Sequence, residues 1–187
     1  MNPVLEGYTR EFAAVQGAIA SVVADLTEPE LQWRPREGRW SIVECLEHLN
    51  SGWSILPKLD RKIALAREEG IAATGPFRRT WFGRLYVRVV EPPVMIRVPA
   101  PRRFRPRSEP PSADVVPRIL ALQDEFAARV RSADGLDVGA ILLSSPITHR
   151  LKMTLGEWFA FLAAHERRHL WQAGNVRRAL PVRASWT

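Results

Sequence analysis

The 187 residues suit one domain, long enough to bury a core of its own. With 46% hydrophobic and 25% charged residues, the composition excludes wholesale disorder. The formal charge of +7 comes mainly from arginine, since Lys58, Lys62 and Lys152 are the only lysines. The excess is concentrated. Nine arginines stand between Arg78 and Arg107 against one acid, Glu91, a net +8. Such a stripe attracts nucleic acid or an anionic small molecule, but charge alone argues solubility and non-specific attraction. The plainer reading is a solvated loop; nucleic acid is not an expected partner, and a small-molecule substrate is. The N-terminus has Glu6 and Glu11 in place of a basic leader, and no apolar run reaches the about 20 residues that cross a bilayer. Cys45 stands alone, so no intrachain disulfide forms. Together these give an expected cytoplasmic protein with no membrane contact.

In chain order, Asn2-Pro3 reads as a cap followed by proline at the first helical position. Apolar residues at helical spacing from Val4 to Val23 predict a first helix over Pro3–Leu26. Pro29, Pro35 and Gly38 mark residues 27–39 as a connector with at most a short helical turn. Ser41 and Glu44 form a capping box, which predicts a second helix to about Glu69. Pro57 should kink or split it, and Gly70 should stop it. Residues 71–112 are crowded with proline and arginine. A short helix fits Trp81–Val90, and the rest should be extended or irregular. A third helix fits Asp114 to about Arg131, and residues 136–153 read as a connector. Thr154 and Glu157 form a second capping box, opening a last helix to about Arg178. The fold class is all-α: one domain over 1–187, a four-helix bundle with a long crossover and a Pro/Arg-rich excursion between its second and third helices.

On the last helix, Trp158, Phe161, Leu162, His165, His169, Gln172 and Val176 share one face. His165 and His169 stand one turn apart, so both imidazoles can reach one ion. A lone inward histidine is more often a satisfied core residue. Two stacked ones each need a buried partner, and a shared metal satisfies both. His48 supplies a third ligand from the second helix, with His149 in reserve. Three protein ligands leave a position open, as in catalytic zinc sites. Cys45, one turn from His48, reads as packing, and Glu44 as the best candidate to support a ligand from behind. Residues 165–169 also match the zinc-protease pattern H-E-x-x-H, with Glu166 as general base. No downstream Asp, Glu or His completes that pattern, so Glu166, Arg167 and Arg168 are expected on a charged outer face. The catalytic residues remain unknown.

The segment Trp40-Ser41-Ile42-Val43-Glu44-Cys45-Leu46-Glu47-His48-Leu49, paired with His165-Glu166-Arg167-Arg168-His169-Leu170-Trp171-Gln172, resembles the DinB-like/YfiT-like superfamily of bacterial proteins. Trp33-Arg34-Pro35 and the spacing of the helices extend the likeness to most of the chain outside 71–112. The resemblance implies a four-helix bundle with one divalent metal ion, zinc or nickel, on His48, His165 and His169. It also implies a thiol-dependent transferase using a low-molecular-weight thiol as cosubstrate. Metal-dependent hydrolysis and a non-catalytic metal-binding stress or interaction protein are the alternatives. The basic segment is then a lid over the metal, part of a homodimer contact, or a solvated excursion.

Overall fold

The computed structural model describes residues 2–93, 100–106, 114–145 and 151–181. Helix α1 (Pro3–Val23) starts where Asn2 accepts a hydrogen bond from the Val4 amide at 2.9 Å. Its buried face is Leu5, Tyr8, Phe12, Val15, Ile19 and Val22. It ends three residues before the expected Leu26, because Asp25 turns left-handed (φ 57°) and Thr27 already caps a short helix α2 (Glu28–Gln32).

The expected second helix is split. Helix α3 (Ile42–Asn50) opens with the Ser41–Glu44 capping box, and a 3-10 turn over Ser51–Ile55 leads into α4 (Leu56–Glu68). Pro57 sits in the first turn of α4, where a missing amide hydrogen leaves nothing unpaired. The break therefore falls just upstream of the proline. Gly70 follows α4 with φ 68°, a left-handed stop. Helix α5 (Trp81–Val90) matches the expectation, as do α6 (Val115–Ser132) and α7 (Leu155–Arg178) to within a residue. The segment expected as a plain connector carries a small antiparallel hairpin, β1 (Leu142–Ser144) with β2 (Lys152–Thr154), in which Leu143 faces Met153. Three-residue strands are too short to show a period of two in sequence.

In the bundle, α1 and α3 each pack against both α6 and α7. Phe12, Phe126 and Phe159 are fully buried at its centre, and the Phe12 and Phe126 rings lie 5.2 Å apart. Removing each such side chain from water contributes roughly 1.5–3 kcal/mol. Among the described residues, no helix is long and apolar enough to cross a membrane.

Helix α5 lies on the outer side of α7, and its N-terminal end is held by a single carboxylate. Glu157 accepts from the Thr154 amide to cap α7, and from the Thr80 amide (2.9 Å) and hydroxyl (2.6 Å) at the start of α5. These donors hold its carboxyl below the usual range against the opposing effect of burial. The close approach requires Gly83: a Cβ there would sit 2.2 Å from Glu157 Oε1. Gly83→Ala should therefore destabilise the fold by about 1–3 kcal/mol. Gly17→Ala meets nothing within 4 Å on α1, and should stabilise it by about 0.5–1 kcal/mol. Thermal unfolding of the two variants should move in opposite directions; a neutral Gly83→Ala would mean that α5 is not seated on Glu157.

Candidate metal centre

The α3–α7 contact brings His48 against His165 and His169. One ligand nitrogen from each lies within 4.8 Å of the others. His48 Nε2 is 3.2 Å from His165 Nε2, and the His169 ring centroid is 4.4 Å from that of His48 and 4.6 Å from that of His165. All three histidines singled out in the sequence converge. The reserve, His149, lies outside the described residues.

The donor set fits a metal ion. On a tetrahedral ion with bonds of about 2.0–2.1 Å, two imidazole nitrogens stand about 3.4 Å apart, close to the observed 3.2 Å. His169 Nδ1 is buried without a hydrogen-bond partner. Burial drives all three imidazoles toward the neutral form that ligation requires. It pulls His165 down to about 3, with the neighbouring His48 adding to the effect. It also lowers His169 well below its ordinary value. His48 is lowered by the same cause, opposed by its bond to Phe104.

That bond reaches the centre from the basic excursion. His48 Nδ1 lies 2.6 Å from the Phe104 carbonyl oxygen. A carbonyl only accepts, so Nδ1 carries the hydrogen and Nε2 presents its lone pair toward His165. Aromatic walls complete the surroundings. Trp40 packs on His48 and His169, and Phe161 stacks on His165 at 5.6 Å between centroids. Tyr86 of α5 stacks in turn on Phe161 at 5.2 Å.

A family model of the DinB superfamily matches residues 11–173. The chain belongs to that superfamily. A solved structure with the same fold is described as "YfiT from Bacillus subtilis is a probable metal-dependent hydrolase with an unusual four-helix bundle topology". It is 13% identical, with a TM-score of 0.60, over 93% of this chain and 86% of that one. No curated protein matches the chain.

Within this DinB superfamily fold, one supporting role differs from expectation. Glu44 does not stand behind a histidine. Its carboxylate is taken by Arg34, at 2.8 and 2.7 Å, and by the Ser41 amide. The supporting group is the Phe104 carbonyl, which no side-chain pattern could show. Cys45 is fully buried, and burial pushes its thiol up, so it packs as expected. Among the described residues no carboxylate or thiol joins the three histidines.

The expected charged outer face at 166–168 is absent: the end of α5 engages Arg167 and Arg168, while Glu166 turns inward to α6. Arg167 is half-buried and bound to both Glu91 oxygens at 2.6 and 2.8 Å and to Glu11. Glu166 is 2% exposed and points into the bundle centre, where Gln123 of α6 donates to it at 3.3 Å. It is turned away from the histidines, so it does not serve them as a general base, and the protease pattern is coincidental. Burial raises its pKa from 4.5 to about 8. The unfolded chain releases this proton near pH 4.5 while the fold keeps it to about pH 8, so the fold loses stability as pH rises through that window. Glu166→Gln, which has no proton to lose, should gain stability over the native metal-free protein between pH 4.5 and pH 8 in urea unfolding. An equal difference at both pH values would show that Glu166 is ionised in the fold.

Proposed function

We propose that this protein is a metal-dependent enzyme of the thiol-transferase type, in which His48, His165 and His169 hold one divalent ion, zinc or nickel. The observation that carries the reading is the convergence of three neutral imidazoles, one of them fixed in its tautomer by the Phe104 carbonyl. A divalent ion held by these histidines would supply Lewis acidity, which would lower the pKa of a bound thiol. The chain's own groups favour a thiol over water as the nucleophile. No carboxylate of the described residues stands among the histidines to take a proton from water, whereas a thiol is acidic enough to need no such base. Trp40 and Phe161 wall the histidines with apolar rings and limit water there. Arg102, Arg103 and Arg105 flank Phe104 on the exposed side, where they meet an acidic cosubstrate. Hydrolysis on the same histidines is the second reading, favoured by the printed description of the YfiT structure.

Purified protein should contain about one divalent ion per chain, and His165→Ala/His169→Ala should lose most of it by elemental analysis. Full occupancy in that variant would sink the assignment. The metal-loaded protein should consume an electrophile only when a low-molecular-weight thiol is supplied; turnover without thiol would favour hydrolysis. Neutralising Arg102, Arg103 and Arg105 together should raise KM for an anionic cosubstrate while metal content stays constant. Unchanged kinetics with an altered oligomeric state would assign the segment to a dimer contact instead.

A further inference from the structure

A second cavity, of about 310 Å³, opens between α1, α5 and α7. Its charged lining is Arg79, Arg84, Arg88 and Arg167 with Glu11 and Glu91. Four positive groups against two negative ones leave +2. The two glutamates are already committed, because both bind Arg167. Arg79, Arg84 and Arg88 have no carboxylate partner among the described residues, and Arg84 gives one N–H to the Arg79 carbonyl oxygen. Arg84 and Arg88 stand one turn apart on α5, so their guanidinium groups can close on one ligand. Tyr8, buried in the wall, finds no hydrogen-bond partner for its hydroxyl among the described residues. Burial pushes that hydroxyl up to about 12, so it stays a donor.

The cavity is separate from the histidine centre. On α7, Ala160 and Arg167 face it, while His165 and His169 lie on the opposite side of the helix at about 100° per residue. Three arginines without a carboxylate partner among the described residues, with a phenol donor over an apolar floor of Val87 and Ala160, suit a compact oxyanion, and guanidinium forks match phosphate oxygens. We propose that this cavity binds a small phosphate monoester, whose two charges neutralise the residual +2. The ligand is held away from the histidines, so it acts as an effector or an anchor and not as the group that reacts. This inference does not rest on the metal or on thiol transfer.

The probes are inorganic phosphate and methyl phosphate, titrated calorimetrically into the full chain at fixed ionic strength, with and without metal. Both should bind saturably, one per chain, in either state. Arg84→Gln/Arg88→Gln should weaken binding about tenfold or more, the scale of one or two charge-assisted hydrogen bonds. Tyr8→Phe should weaken it severalfold. Arg36→Gln/Arg61→Gln removes the same charge elsewhere on the exposed surface and should leave the affinity unchanged. Equal weakening in the two arginine pairs would reduce the effect to net charge and overturn the site. Binding lost with the metal would place the anion at the histidines and overturn it equally. So would the absence of saturable binding.

Discussion

Helix α7 is enclosed over most of its length, and a polar side chain on an enclosed helix must find a partner or lose its charge. The bundle answers that constraint differently on each face. Toward α5, Glu157 takes donors from Thr80 and Thr154. Toward α1, Arg167 takes two carboxylates, Glu11 and Glu91. In the centre, Glu166 keeps its proton and meets Gln123. Toward α3, His165 and His169 meet the His48 imidazole and aromatic rings and, among the described residues, no charged group.

The α3 face is the one left incomplete. Everywhere else a charge of opposite sign or a donor completes the account. Here three basic groups are gathered, all driven toward the neutral form by burial, with the Phe104 carbonyl behind His48 and Gln172 bonded to His169. Three lone pairs brought together repel one another unless a cation or protons lie between them, and burial disfavours the protons. The proposed divalent ion supplies the missing charge without adding a proton. The same reasoning separates this site from Glu166, one residue away, whose difficulty is solved by protonation.

How much of this was legible depends on whether the cause was local. The pair His165 and His169 declared itself through its spacing, and Ser41–Glu44 and Thr154–Glu157 marked helix starts through short-range hydrogen bonds. Gly70 and the span Trp81–Val90 were readable for the same reason. What escaped was set by tertiary contact. Glu166, Arg167 and Arg168 read as a solvated run because nothing in sequence says that Glu166 turns to α6 or that α5 meets the two arginines. The bond from Phe104 to His48 uses a backbone carbonyl 56 residues away, and a carbonyl leaves no trace in residue type. Glu44 looked available, but Arg34 and its own cap consume both oxygens.

The excursion between α4 and α6 explains why so many surprises have one origin. Among its described residues the backbone pairs across only where Ala72 bridges Leu136, so side chains and close approaches hold α5 in place. It is pinned along α7 in order: Phe77 against Gly156, Thr80 and Gly83 against Glu157, Tyr86 against Phe161, and Glu91 against Arg167. Each pin advances along both segments together, so α5 runs alongside α7 in a single register. That register places Tyr86 on the histidine side and Arg84 and Arg88 on the cavity side. One short helix thereby borders both sites, and its seating on Glu157 governs the wall of each. A change that lifts α5 would remove the Tyr86–Phe161 stack behind His165 and disperse the cavity arginines together, although it touches no histidine.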